Sequence, residues 1–161
     1  MTSPYVILRV EEEEWAEVIL EAQKQTLGAK CPSPLNDDYI WWIAFVGKTD
    51  EVAGFAGMRV SRGWKDTGYL GRCGVIAAHR GHGLQRRFIR VRERAARKLG
   101  FEWMLADTSG SAESGNNLIR CGYRIYQPRK PYGFKHTIYW RRQLGSGKRM
   151  KRTTAAKEVA P

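Results

Sequence analysis

The stretch Val75-Ile76-Ala77-Ala78-His79-Arg80-Gly81-His82-Gly83-Leu84-Gln85-Arg86-Arg87-Phe88-Ile89 decides how the rest of the chain is read. An apolar strand ends in a basic turn with two glycines and runs straight into a long arginine-rich segment of helical period. Glycine admits left-handed backbone and close approach by a ligand. The first turn of a helix leaves N–H groups unpaired, and the helix dipole favours negative charge there. Together these features predict an anion site for a phosphate or pyrophosphate. Arg80, His82, Arg86 and Arg87 crowd the same helix end, where positive charge opposes the dipole unless an anion sits among them. A P-loop would need Gly-Lys-Ser/Thr at this point, and the chain has Gly83-Leu84-Gln85. A dinucleotide fingerprint would follow the first strand and be answered by an acid about 20 residues later, which the chain does not offer.

Upstream, residues 5–10 read as a β-branched strand and residues 11–27 as a helix. Glu11 to Glu14 suit the positive end of that helix, and Trp15, Val18, Ile19 and Ala22 recur at its period. Pro32, Pro34, Asn36, Asp37 and Asp38 mark a loop. Residues 39–46 are wholly apolar and aromatic, as in a strand buried on both faces. Residues 51–62 and 68–77 make two further strands, the second feeding the glycine turn. Downstream, residues 83–99 are a helix with Leu84, Phe88, Val91, Ala95 and Leu99 in one stripe, the arginines elsewhere, and Gly100 past its end. A strand over 101–107, a short helix over 109–121 and closing strands over 123–126 and 134–144 complete the order β-α-β-β-β-α-β-α-β-β.

A chain of 161 residues is one ordinary domain with a real core. Residues 1–144 are expected to form that domain, and residues 145–161, with five basic residues, one acid and no aromatic, a disordered tail. No apolar run approaches the ~18 residues that span a bilayer, so no membrane partner is expected. The first residues lack a charged and then apolar leader, which points to the cytoplasm. Cys31, Cys73 and Cys121 are too few and scattered for a metal cluster or a disulfide framework, so reduced thiols and no metal are expected. The net charge of +12 is uneven: residues 1–51 hold 4 basic and 10 acidic residues, residues 52–161 hold 24 and 6. A polyanionic partner for the second part is implied, without saying whether it is a nucleotide cofactor, a nucleic acid or a surface.

Val75-x-x-x-x-Arg80-Gly81-x-Gly83 after the fourth strand, with Asn117-Leu118-Ile119-Arg120-Cys121-Gly122-Tyr123 downstream, resembles the GNAT superfamily of N-acetyltransferases over roughly residues 5–144. The resemblance implies an α/β (α+β) fold with a mixed, mostly antiparallel central sheet flanked by helices. It also implies acetyl-CoA as co-substrate and direct attack of a primary amine, of a protein or a small molecule, on the thioester. Arg80, Gly81, His82, Gly83, Leu84 and Gln85 would then cradle the pyrophosphate, Gln85 standing where the family usually has a small residue. Val75 and Ala77 would run beside the pantetheine arm, and Ser111, Ser114 and Asn117 would touch it. An amide near Val75 would hold the oxyanion. The family's usual glutamate on the fourth strand is missing, and its usual tyrosine acid is Leu118. His79, Asp107, His136 and Tyr126 remain as acid–base candidates, or a water chain. Asp37, Asp38, Trp41, Trp42, Tyr132 and Phe134 would form an acceptor wall suited to a cationic amine, although Trp41 and Trp42 point to opposite faces of a strand and at least one of them is expected in the core.

Two other functions stay open. The helix holds eight basic residues and one acid between Arg80 and Lys98, and with Lys148-Arg149-Met150-Lys151-Arg152 it suits a nucleic acid. Leu118 and the missing carboxylate also leave room for an acyl-CoA-binding module without turnover.

Overall fold

Apolar residues at alternate positions, or at every third and fourth, sort this chain into strands and helices in the expected order. In the computed structural model, which describes residues 3–28, 35 and 38–145, the elements are as follows. They are β1 (Tyr5–Val10), α1 (Glu12–Leu27), β2 (Tyr39–Val46), β3 (Val52–Val60), β4 (Thr67–Val75), α2 (Leu84–Lys98), β5 (Trp103–Thr108), α3 (Ala112–Arg120), β6 (Arg124–Ile125) and β7 (Ile138–Gln143). Asp37 and the basic segment after Gly145 lie outside the described residues. Several boundaries differ from expectation, and two of them have a cause in the backbone hydrogen bonds. β4 stops at Val75, because His79 and Arg80 turn their amides back onto the carbonyls of Ile76 and Ala77 in a single 3-10 turn. β7 starts at Ile138, because Thr137 N bonds the Phe134 carbonyl through a left-handed His136.

The seven strands lie in the order β1-β2-β3-β4-β5-β7-β6. Every pairing is antiparallel except β4 with β5, which run parallel and match only at Thr67↔Trp103, Gly68↔Met104 and Tyr69↔Leu105. Beyond Tyr69 and Leu105 the two strands part, and the ladder between them ends.

Side chains alternate across the sheet, so each strand serves both faces. On one face Met58, Leu70, Met104 and Trp140 pack with Leu84, Phe88 and Ile89 of α2 and Leu118 of α3. On the other, Trp41, Ile43 and Phe55 pack with Ile19 and Ala22 of α1. Gly57 and Gly71 make that packing possible: a Cβ on either would stand within 2.8 Å of the Tyr39 or Trp41 ring. Helix α1 packs on β2, β3 and β4. Further along the same face the registers align Arg59, Tyr69, Leu105 and Arg141 in one row across β3, β4, β5 and β7.

The expected stripe of α2 is rotated. Its buried residues include Arg92 and Glu93, while Leu99, expected inside, follows the helix end and is 54% exposed. Glu93 is buried because Arg142 of β7 bonds it at 2.7 Å, with Arg97 at 4.0 Å. Arg92 is 2% exposed and is held by carbonyls: Nε bonds Phe88 O at 3.0 Å, and Nη1 bonds Gly57 O at 3.0 Å and Gly71 O at 3.5 Å. The register between β3 and β4 slips at this point, from Ala56↔Cys73 to Met58↔Leu70, which gives β4 one extra residue. Such a bulge breaks the ladder locally, and the guanidinium takes up carbonyls beside the break.

Arg92→Met keeps the volume but leaves those carbonyls without their cation. It should lower the stability seen in urea unfolding by about 2–4 kcal/mol, whereas Arg94→Gln, on the exposed side of α2, should change it by less than about 0.5 kcal/mol.

Candidate functional site

Where β4 and β5 part, the gap forms a cleft of about 300 Å³. Its sides are the edge of β4 from Tyr69 to Cys73 and the end of β5 from Ala106 to Thr108. Ile89 and Leu118 give it an apolar floor, and Ser111 and Ser114 stand at its α3 end. Backbone groups on the β4 edge that faced β5 before the divergence have no ladder partner there. A second, larger pocket of about 1000 Å³ opens over the row Arg59, Tyr69, Leu105 and Arg141, walled by residues 61–64 and 126–132.

Tyr69 lines both cavities, and its hydroxyl donates a short hydrogen bond to Asp107 Oδ1. Asp107 is the one carboxylate lining the cleft among the described residues. Burial raises the Tyr69 phenol well above the ordinary tyrosine range, and the charge of Asp107 and their hydrogen bond add to the shift. The phenol therefore stays protonated and anchors the carboxylate. Burial likewise pushes up the Cys73 thiol on β4, opposed in part by Arg92.

The glycine turn leads into α2, whose Gln85 and Ile89 line the cleft. Gly81 and Gly83 have φ of 82° and 75°, values that L side chains rarely adopt, and nothing lies within 4 Å of where a Cβ on Gly81 would sit. Gln85 does not project into the turn. Its amide bonds Ser114 Oγ at 2.9 Å and accepts from Asn117 Nδ2 at 2.7 Å, tying α2 to α3. Ser111 caps α3 by accepting from Ser114 N at 3.2 Å. An Acetyltransferase (GNAT) family model matches residues 7–123.

The chain belongs to the GNAT acetyltransferase family.

Solved structures of that fold agree with the architecture. A GNAT phosphinothricin acetyltransferase from Sinorhizobium meliloti, in complex with acetyl-CoA, superposes with a TM-score of 0.67 at 18% identity, covering 96% of each chain. A proposed acetyltransferase from Salmonella typhimurium, with its cofactor acetyl-CoA, gives 0.66 at 19% identity over 90% of this chain and 96% of that one. An IAA acetyltransferase from Bacillus cereus gives 0.67 at 16% identity over 86% and 99%. No curated protein sequence matches significantly.

Against this GNAT frame the expected residues separate. Asp107, Ser111, Ser114, Gln85 and Leu118 gather around the cleft, and Asn117 reaches it through Gln85. Val75 and Ala77, the expected rail for pantetheine, do not line it. Gly71, Arg72 and Cys73 do, one turn earlier, because β4 ends at Val75 and Arg80 Nε holds the Val75 carbonyl at 3.2 Å. His79 faces away, bonded to Tyr5 Oη at 3.3 Å and Glu51 at 3.2 Å. His82 stacks edge-on against Tyr5, and Arg87 bonds Tyr5 O and Ser3 Oγ. So much of the crowded positive charge serves the chain's own backbone. Of the eight basic residues from Arg80 to Lys98, Arg80, Arg87, Arg92 and Arg97 all bond carbonyls, which thins the face open to a nucleic acid.

The acceptor wall needs correction. Trp41 is fully buried between Tyr39 and Phe55, with Nε1 on Glu12 at 2.6 Å, and Trp42 is core on the opposite face. Asp38 is occupied by Arg62 at 2.8 Å. Tyr126 and Tyr132 do line the larger pocket, whereas Phe134 is 87% exposed beyond it. The residues that sequence reading missed are Tyr69, Arg59 and Arg141. Arg59, a charged residue in the otherwise apolar strand 52–60, had a legible signal, whereas Tyr69 and Arg141 had none in their own segments.

In the unfolded chain Tyr69 would lose its proton near pH 10, whereas the folded state keeps it. The stabilising contribution is therefore complete below about pH 10 and falls as pH rises beyond it, by about 1.4 kcal/mol per pH unit for one proton. Urea midpoints measured between pH 8 and 11 should decline less steeply in Tyr69→Phe than in the parent protein, by about one proton's worth of slope.

Proposed function

We propose that this protein transfers the acetyl group of acetyl-CoA to the nitrogen of a primary amine. The observation that carries the reading is the Tyr69–Asp107 pair, set where the cleft and the larger pocket meet. The residues present fit the co-substrate. Two left-handed glycines open backbone amides at the start of α2. The edge of β4 beyond its ladder with β5 offers pantetheine a strand-like neighbour, and Ile89 and Leu118 supply apolar lining beside it. Acetyl-CoA, when bound, supplies the acyl thioester at the inner end of that channel.

An alkylamine has a pKa near 10.4 and arrives protonated at neutral pH. Asp107 accepts that proton, with Tyr69 holding Oδ1 and leaving Oδ2 for the amine. The nitrogen lone pair then forms the C–N bond to the carbonyl carbon. The edge of β4 from Gly71 to Cys73 lines the cleft, and a backbone amide of that bulged stretch, nearer the bulge than Val75, is our candidate donor to the oxyanion. Collapse breaks the C–S bond and releases the thiolate, and the second proton of the nitrogen, made acidic by the new C–N bond, passes to that thiolate. A thiol of pKa near 8.5 leaves without much help from an acid, which accords with apolar Leu118 in the position where relatives carry a tyrosine.

Titration calorimetry with acetyl-CoA should show saturable binding, weakened at least about tenfold in a Gly81→Val/Gly83→Val variant whose side chains oppose the left-handed turn. Asp107→Asn should bind acetyl-CoA as the parent does but lower kcat about 10²- to 10⁴-fold. Absence of acetyl-CoA binding in the parent protein would end the transferase reading. Unchanged turnover in Asp107→Asn would move the base to a water chain.

A further inference from the structure

The larger pocket has a charge opposite to the one expected of an acceptor wall for a cationic amine. Its lining contains Arg59, Arg62, Arg129, Lys130 and Arg141, and no carboxylate among the described residues. Asp38, which would have offered one, is spent on Arg62 at 2.8 Å, and among the described residues no carboxylate pairs with the other four cations, although Arg59 also donates to the Val60 carbonyl at 3.3 Å. Two of them are also held in fixed planes. Arg59 lies 4.5 Å from the centre of the Tyr69 ring, and Arg141 lies between Trp103 at 5.5 Å and Tyr126 at 5.3 Å. Stacking occupies the flat faces of a guanidinium and leaves its N–H edges for a planar anion such as a carboxylate, or for a phosphate.

Trp64, Tyr69, Tyr126 and Tyr132 add an aromatic part to the wall. Trp64 stands edge-on to Trp103 and Tyr126, and Tyr132 packs against Tyr139, which accepts hydrogen bonds from the amides of Tyr132 and Gly133. These rings form a pre-set slot for a flat apolar group. A lysine-rich peptide or a polyamine would bring further positive charge among the arginines, at a like-charge cost. A volume of about 1000 Å³ exceeds what a simple alkylamine fills.

From the proposed acetyl transfer, on which this rests, we infer that the acceptor is a small amine carrying an anionic group and a planar ring. The anion binds Arg141 and Arg59, the ring lies against Trp64 and Tyr132, and the amine points past Tyr69 towards Asp107.

Three probes that share an indole ring separate the possibilities: N-acetyl-L-tryptophan, which carries a carboxylate, 3-indoxyl phosphate, which carries a phosphate, and the neutral N-acetyl-L-tryptophanamide. Calorimetry on the full chain should find at least one anionic probe binding about tenfold or more tighter than the amide, and which one identifies the anion. Arg141→Gln and Arg59→Gln should each shrink that preference to about threefold or less without altering acetyl-CoA affinity. Arg129→Gln/Lys130→Gln, on an exposed loop, gives the same test should the strand variants fold poorly. Salt should weaken the anions and not the amide. Equal binding of amide and anions, or binding of none, would overturn the inference. The acetyl-CoA titration reports separately: anion preference without acetyl-CoA binding would end the transferase reading and keep this site, and the reverse would keep the transferase and remove the anionic acceptor.

Discussion

The parting of β4 from β5 is the constraint on which the rest of the molecule depends. Three matched pairs hold the two parallel strands together, and past Tyr69 and Leu105 they separate. Parallel ladders need a crossover, and here it is α2, whose start lies at the open end of the gap. The divergence ends the ladder of β4 with β5, opens the cleft, and brings Tyr69 within reach of Asp107 on the neighbouring strand. A sheet that zipped fully shut would keep the fold and lose the cavity.

Holding such a gap open takes support from both faces. On one, α2 spans β3 and β4 through Arg92, whose guanidinium satisfies carbonyls beside the bulge, and Glu93 ties the same helix to β7 across the divide through Arg142. Adjacent residues thus brace opposite sides of the cleft. On the other face α1 packs on β2, β3 and β4, and the row from Arg59 to Arg141 lies under the larger pocket instead. The two ends of the reaction path differ in character accordingly: an apolar channel with serines at its α3 end, and a basic aromatic chamber.

How much of this was legible in the sequence depends on how far apart the interacting residues lie. The order of elements and the glycine turn rest on local periods and on glycine's backbone freedom, and both were readable. The Tyr69–Asp107 bond joins residues 38 apart through a pairing that nothing in either segment announces. Asp107 stands among the acid–base candidates that the sequence leaves, without its partner. Arg92 read as surface because its partners are carbonyls exposed by a bulge, and a bulge leaves little trace beyond small residues such as Gly71. Trp41 and Asp38 read as a wall because the strand and loop holding them were known, but not that Phe55 and Arg62 would claim them.

Tyr69 belongs to both cavities, and it acts as a partition as well as an anchor. The channel is reached from the side of α2 and α3, the chamber from the opposite face of the sheet. Molecules using the two need not pass one another, so neither must wait for the other to arrive or depart. Under the proposed acetyl transfer, donor and acceptor would need no fixed order of addition, and a spent donor could be exchanged while the acceptor stays in place.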